Sequence, residues 1–344
     1  MDTVNIVFAD KEKVEVRKET LETSLGPSQL LCAARCSLIS TGTEMQCLKG
    51  VFDADTNWAG WVRYPFRPGY SMVAEVLEAG TEVRGIRKGD RVFVENAHAQ
   101  YFKTDAGSVC LLPDGISDEQ GAWINLAKTT QLGVRRAELQ LGETVGVIGL
   151  GLLGQLVTQY LALSGVQQIF AIDPAKDRLK LIQERPGLHL LAMDAGEAQD
   201  EIRHATEGRM LDAVFDVTGH PAVLARATKL VKPLGRVILL GDTATPSRQE
   251  MGHNVVSNSV SILGIHGTMT YRSWTHSEMA DLFVTYLLQR RMEVSGLITH
   301  RYSPLEAADA YDMLTRNRGS AMGVLLDWTK LPAESYSPAS GSVK

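Results

Sequence analysis

Between Glu143 and Asp177 the chain reads ETVGVIGLGLLGQLVTQYLALSGVQQIFAIDPAKD, and no other stretch limits the possible folds as much. Val145 to Ile148 is a β-branched run, Gly149, Gly151 and Gly154 are spaced GxGxxG, and Leu152 to Leu163 has helical spacing. Gln168 to Ile172 is a second apolar run closed by Asp173, nineteen positions after the last glycine. A strand, a glycine turn, a helix and a strand with a distal acid form the arrangement that binds a dinucleotide. Gly149 permits the tight turn, Gly151 lets the backbone approach a pyrophosphate, and Gly154 lets helix and strand meet without a Cβ between them. The helix N-terminus then offers free N–H groups and a favourable dipole to the anion. Asp173 accepts from both ribose hydroxyls and repels a 2′-phosphate, which favours NAD over NADP.

A chain of 344 residues, 44% hydrophobic and 22% charged, has the length and apolar content for two globular domains. Its net charge of −5 and lack of a basic run argue against a nucleic acid or a membrane surface as partner. Cys32, Cys36, Cys47 and Cys110 are scattered without CxxC spacing, as in a reducing compartment. Cys32 and Cys36 stand four apart in a strand-like segment and are expected on one face, with no further metal ligand in evidence. The N-terminus, MDTVNIVFADKEKVEV, has no secretory pattern, and the expected location is the cytoplasm.

Residues 1 to about 122 alternate short β-branched runs with turns, NIVF, KVEV, QLLCAARCSLIS, SMVAEVLEAG, RVFV and QYFKT, and helical periodicity is nearly absent. From Glu119 a helical pattern leads into the glycine motif. After Asp173 a helix over Lys176 to Glu184, strands ending at Gly219, Gly241 and Gly267, and a helix over Ala222 to Leu230 continue a β/α alternation, which predicts a doubly wound parallel sheet. A helix over Ser277 to Arg290 follows, then LITHRYSPLEAADAYDMLTRN and GVLLDW return to the first half. The last residues, from about 331, read as a mobile tail.

This order of parts, with TGTE at 41 to 44, PGY at 68 to 70, KGDRV at 88 to 92 and GLGLLG, resembles the medium-chain dehydrogenase/reductase superfamily of alcohol and polyol dehydrogenases. The resemblance implies an α/β protein. A β-rich GroES-like catalytic domain, 1–122 and 297–344, would surround a Rossmann dinucleotide-binding domain, 123–296. It also implies a homodimer joined through the edge strand SVSILGIHG. Zinc-dependent members carry a cysteine where this chain has Thr41, a histidine where it has Tyr70, and a glutamate or cysteine at Asn125. The four-cysteine structural loop is missing too. No metal is expected at either site, since zinc takes thiolate, imidazole or carboxylate.

For the cofactor, the resemblance places Thr129 at the nicotinamide, Leu152 and Leu153 at the pyrophosphate, Asp173 at the adenosine ribose and Arg178 on the adenine side. Thr218 and Gly219 lie beside the adenosine, and Gly241, Asp242, Ile265, His266 and Gly267 reach the nicotinamide end. Without zinc the carbinol proton needs another acceptor. Tyr70, its pKa lowered by Lys128, fits that role, as the Tyr and Lys of short-chain dehydrogenases do. Alternatively Tyr70 fills the metal cavity and Lys128 binds a ribose hydroxyl or an acid. Thr43 matches the family's proton-relay hydroxyl. Glu44 either turns inward as a base or pairs with an arginine, and His98, in a link near the cleft rim, is a further proton carrier. Trp58, Trp61 and Glu95 would line the substrate cleft, opposite His266, Tyr271, Arg272 and Trp274.

The reading that follows is a zinc-independent NAD(H)-dependent dehydrogenase that interconverts a secondary alcohol and a ketone by direct hydride transfer, on a sugar, cyclitol or similar ring-shaped polyol. A zinc-free quinone or enoyl reductase using NADPH, and a nucleotide-binding protein without turnover, are the alternatives.

Overall fold

In chain order the strands and helices of the computed structural model, which describes residues 1–332, begin with β1 (Asp2–Asp10), β2 (Lys13–Thr20) and β3 (Gln29–Ile39). Two short helices, α1 (Thr43–Lys49) and α2 (Asn57–Trp61), precede β4 (Met72–Ala79), β5 (Arg91–Val94), β6 (Tyr101–Asp105) and β7 (Val109–Leu111). Next come α3 (Asp118–Gly121), α4 (Ile124–Arg136), β8 (Thr144–Ile148), α5 (Leu152–Leu163), β9 (Gln168–Ile172) and α6 (Lys176–Leu179). The chain goes on with β10 (Leu188–Leu191), α7 (Ala198–Ala205), β11 (Leu211–Asp216), α8 (Val223–Leu230), β12 (Val231–Leu239), β13 (Ser261–Gly264) and α9 (His276–Leu288). Strand β14 (Ile298–Tyr302), α10 (Ala307–Asn317) and β15 (Gly323–Asp327) close it.

Six strands form a parallel sheet in the order β10-β9-β8-β11-β12-β13. That is the doubly wound arrangement, and its order reverses between β8 and β11, where a crevice opens at the carboxyl ends of the strands. The second large sheet runs β14-β15-β3-β4-β5-β7, with β6 paired to β3, and β1 and β2 form a hairpin of their own. Because β15 pairs with β3, the end of the chain is built into the sheet of its beginning, as the expected return requires.

Several local expectations are corrected. The first half is not free of helices: α1 is seven residues long, starts after Gly42 and stops at Gly50, whose φ of 61° is the left-handed cap. It and α2 span too few turns to show a helical period. The helix expected from Glu119 is two helices. A capping box between Ser117 and Gln120 starts α3, and Ala122 and Trp123 separate it from α4. The helix over Lys176 to Glu184 stops at Leu179 and continues only as turns, Leu181 N donating to Arg178 O and Ile182 N to Leu179 O, before the chain enters β10. Neither β10 nor α7 was anticipated.

Cys32 and Cys36 do not share a face. The register shift between Ala34 and Cys36 in the β3–β4 pairing leaves Arg35 out of the pairing and adds a residue to the alternation of β3. Cys32 therefore packs with Ile6, Phe8 and Leu30, and Cys36 with Leu38, Val73 and Trp123 on the other side of the sheet. Burial pushes the Cys32 thiol up to about 12 and holds the Cys36 thiol well above its ordinary value. The expected mobile tail lies almost wholly outside the described residues. Among those residues no helix is long and apolar enough to cross a membrane.

Candidate active site

The glycine motif sits at the crevice. Gly149 has φ 90°, and a Cβ there would lie 2.7 Å from Cγ2 of Thr218, so the ends of β8 and β11 can meet only around a glycine. A Cβ on Gly154 would lie 2.0 Å from the Gly149 carbonyl, which enforces the close fit of α5 on its strand. A Cβ on Gly151, in contrast, would meet nothing within 4 Å, and no side chain caps the α5 N-terminus there. The open space and uncapped helix end fit a pyrophosphate. Leu152 and Leu153 offer it only their backbone, since their side chains pack into the core behind α5.

Asp173 ends β9 inside the crevice. Its Oδ2 accepts from Leu150 N at 2.8 Å and from Nη1 of Arg178 at 3.2 Å, and Oδ1 accepts from Ala175 N at 2.8 Å. Three bonds on a carboxylate with about four acceptor sites leave room for a ribose hydroxyl. Thr218 caps β11 by donating to Asp216. At the other end of the crevice a Cβ on Gly267 would come within 2.5 Å of Thr129 Oγ1, so the chain just past β13 touches α4 there. Gly241 is pressed on Gly219: a Cβ would lie 2.3 Å from the Gly219 N.

Tyr70 stands just ahead of β4. Its hydroxyl donates to Ser40 Oγ and also meets the Thr43 hydroxyl. Asn125 at the start of α4 donates from Nδ2 to the Tyr70 carbonyl at 3.1 Å. Thr41, Tyr70 and Asn125 present hydroxyl and amide groups, and among the described residues no group of three or more His, Cys, Asp or Glu is arranged to hold a metal. Zinc does not fit this donor set.

The expected lowering of the Tyr70 pKa by Lys128 does not occur. Burial holds the phenol well above its ordinary value, the Ser40 and Thr43 hydroxyls oppose this only in part, and the Glu44 charge adds to the rise. Lys128, one turn into α4, is bonded to Glu95 instead, with its ammonium 5.5 Å from the centre of the Phe93 ring. It acts on Glu95, not on Tyr70.

Glu44 and His98 also lie elsewhere than expected. Glu44 pairs with no arginine and does not turn into the cleft. Its Oε1 accepts from Ser40 N at 2.8 Å, and its Oε2 accepts from the Tyr311 hydroxyl and lies 3.1 Å from Nε2 of His98. His98 is 1% exposed, so it is not at the rim. Its Nδ1 is 2.8 Å from Ser37 Oγ, which also accepts from the Trp328 indole at 2.9 Å. The five side chains form one buried polar chain from β3 through α1 to α10, which ends at Ser40 behind Tyr70.

On the substrate side Trp58 is buried and Trp61 is 45% exposed, their rings 6.2 Å apart and Trp61 edge-on to Phe66. Trp58 faces Asp242, and Glu95 is exposed in the cleft beside Lys128. Trp274 does not form the opposite wall. Its ring stacks on the Arg135 guanidinium, 3.3 Å from the ring centre, and Arg135 lies ten positions beyond Asn125. At 1.5 Å per residue that is about 15 Å along α4, away from Tyr70. Tyr271 and Arg272 go with it, both bonded to Glu138 just past the end of α4.

Sequence reasoning missed Ser40, Tyr311 and Arg318. Arg318, after α10, brings its guanidinium within 3.7 Å of a Cβ placed on Gly42, and its carbonyl accepts from Nη2 of Arg178 at 3.0 Å. Desolvation, then the Arg178 charge, hold it below the ordinary guanidinium range, while Asp173 opposes this. The only local signal was a TRNRG run after a helix, and nothing in it points to residues 42 or 178.

Comparison with known proteins agrees with this architecture. Residues 31–149 match the alcohol dehydrogenase GroES-like domain, and residues 153–285 match the zinc-binding dehydrogenase model. Sorbitol dehydrogenase of Bacillus subtilis (strain 168) is 24% identical over 296 residues, 77% of this chain and 82% of that protein. An L-threonine 3-dehydrogenase of Caldanaerobacter subterraneus subsp. tengcongensis is 25% identical over 90% of this chain and 94% of its own. The crystal structure of 2R,3R-butanediol dehydrogenase from Bacillus subtilis superposes with a TM-score of 0.77 at 20% identity, covering 94% of this chain and 99% of that one, and so shares its fold. The two domain models occur in the order in which the two sheets are built, and the chain belongs to the medium-chain dehydrogenase/reductase superfamily.

Proposed function

We propose that this protein is a zinc-independent, NAD(H)-preferring dehydrogenase that interconverts a secondary alcohol and a ketone on a polyhydroxylated substrate. The observation that carries the reading is the Tyr70 phenol, tied to Ser40 and Thr43 in the slot where relatives hold a metal ligand. A bound nicotinamide supplies the hydride donor or acceptor. The glycine loop and Asp173 hold the dinucleotide, and Arg178 and Arg318 bring positive charge to the same crevice. Tyr70 hydrogen-bonds the substrate oxygen and gives its proton to the alkoxide that develops as a ketone is reduced. Its raised pKa keeps it in the donor form at neutral pH and makes alcohol oxidation an alkaline reaction.

We take residues 1–122 and 297–344 as the catalytic domain and 123–296 as the cofactor domain. The homodimer reading rests on β13, which lies at an edge of the parallel sheet, and on Met251 and Val256, exposed in the segment that precedes it. The test is turnover of sorbitol, butane-2,3-diol and cyclitols with NAD and NADP by enzyme whose metal content has been measured. Activity with less than a tenth of an equivalent of zinc supports the reading. Stoichiometric zinc, with chelators abolishing activity, overturns it. NADPH-dependent reduction of quinones or enones, with no alcohol turned over, would favour the zinc-free reductase. Tight NADH binding without turnover of any substrate would favour a binding protein.

A further inference from the structure

Asp242 lies where the two halves of the cleft meet. Beyond β12, Leu240 N and Gly241 N both donate to the Asp216 carbonyl, at 2.9 and 3.1 Å, which turns the chain out of the sheet. The Asp242 carbonyl is pressed toward Gly219, 2.8 Å from where a Cβ would stand, so the backbone faces the dinucleotide crevice. The next residues dock on the other half: Asp53 N donates to the Ala244 carbonyl at 2.9 Å, and Ser247 N donates to the Asp53 carboxylate at 2.8 Å. Ala244 is buried in the same cluster as Trp58. The Asp242 side chain thus crosses toward the wall of the β-rich half.

There the carboxylate lies close to the Trp58 indole and to the His266 imidazole. Nε1 of Trp58 is buried and has no acceptor at proper hydrogen-bond geometry. His266 is exposed, and its Nδ1 is engaged with Thr268 Oγ1 at 2.8 Å. Among the described residues Asp242, which is exposed, makes no ion pair with an arginine or lysine, and the Lys128 ammonium is bonded to Glu95. Partial desolvation raises the Asp242 carboxyl despite the opposing effects of His266 and Trp58, as expected of an acceptor short of donors.

We propose that Asp242, flanked by Trp58 and His266, is a substrate subsite that accepts hydrogen bonds from hydroxyl groups adjacent to the reacting carbinol. This rests on the dehydrogenase reading above and narrows it to uncharged polyols. An ionised carboxylate accepts only, and its two oxygens match two neighbouring hydroxyls. With Lys128 already neutralised by Glu95, a phosphorylated or carboxylated substrate would meet uncompensated negative charge at Asp242.

The test compares diols with their mono-ols: butane-2,3-diol against butan-2-ol, and cyclohexane-1,2-diol against cyclohexanol. Wild-type enzyme prefers each diol in kcat/KM. In D242N and D242A that preference falls about tenfold or more, the range for a hydrogen bond to a charged acceptor, while the dissociation constant of NADH stays within about twofold. An unchanged diol preference in enzyme that still turns over these alcohols overturns this inference alone. A parallel loss of NADH affinity also overturns it and returns Asp242 to the cofactor. No turnover of any alcohol by the wild type overturns the dehydrogenase reading with it.

Discussion

Nε2 of His98 lies 3.1 Å from the Glu44 carboxylate, and neither side chain is more than 1% exposed. Both oxygens of Glu44 are engaged inside the protein. The side chain holds α1 to α10 through Tyr311 and to the β5–β6 link through His98. Truncation by Glu44→Ala strands three donors in a closed interior, where each unmade bond costs about 1–3 kcal/mol. The expected loss of stability is about 3 kcal/mol or more, read as a lower denaturation midpoint at unchanged slope. Glu44→Gln, which keeps an acceptor and the shape, should recover most of it.

Tyr70, Tyr160 and Tyr311 are all held protonated by burial, above the ordinary tyrosine value. Between the unfolded and folded values the unfolded chain has lost protons that the folded protein keeps. Stability is therefore complete below about pH 10 and falls as pH rises above it, by up to about 1.4 kcal/mol per pH unit for each such group. Urea denaturation at pH 8 and pH 10.5 checks this, and the variant Y311F should show a shallower decline.

The same rise at Tyr70 sets the direction of catalysis. Ketone reduction should hold its rate from neutral pH upward until the phenol ionises, whereas alcohol oxidation should climb with pH through at least pH 10. Tyr70→Phe removes the donor without emptying the slot, and a loss in kcat of about 10²- to 10⁴-fold is expected. Measured pH profiles of kcat in both directions decide it. A Tyr70→Phe enzyme with wild-type reduction rates would mean that the proton comes from elsewhere.

The glycine loop was legible because period and chemistry change together there: α5 and β9 have the bounds that the motif predicts. The wrong placements share a cause, which is that proximity along the chain was read as proximity in space. Trp274 follows the nicotinamide end by only seven residues after Gly267, yet stacks on Arg135 at the far end of α4. His98 lies near the expected rim in sequence, but Ser37 and Glu44 draw it inward. The bulge at Arg35 that parts Cys32 from Cys36 leaves no trace in the sequence of the strand. Arg318 reaches the crevice only because β15 carries the chain end back to β3.

Lys128 and Glu95 should behave as a pair. The Lys128 side chain is 8% exposed and that of Glu95 48%, so solvent screens part of their attraction. The expected coupling energy is about 1 kcal/mol in a double-mutant cycle of Lys128→Met and Glu95→Gln. If Lys128 instead served Tyr70 directly, Lys128→Met would shift the pH profile of oxidation while Glu95→Gln left it in place.

The ribose end offers the sharpest test of cofactor choice. On the proposed reading Asp173 repels a 2′-phosphate, but Arg178 is bonded to it and the Arg318 carbonyl receives the other end of the same guanidinium. Removing the carboxylate leaves two arginines near one ribose position with no counter-charge. Asp173→Ser should therefore weaken NADH, which loses its hydroxyl acceptor, by about tenfold. It should also strengthen NADPH, which gains charge-assisted bonds, so that the preference shifts by about 100-fold or more. Fluorescence titration with both reduced cofactors measures it. A further Arg178→Ala substitution should cancel most of the gain in NADPH, since Arg178 is the cation already in contact with position 173. If NADPH binding does not improve in Asp173→Ser, discrimination lies in the shape of the crevice and not in this charge.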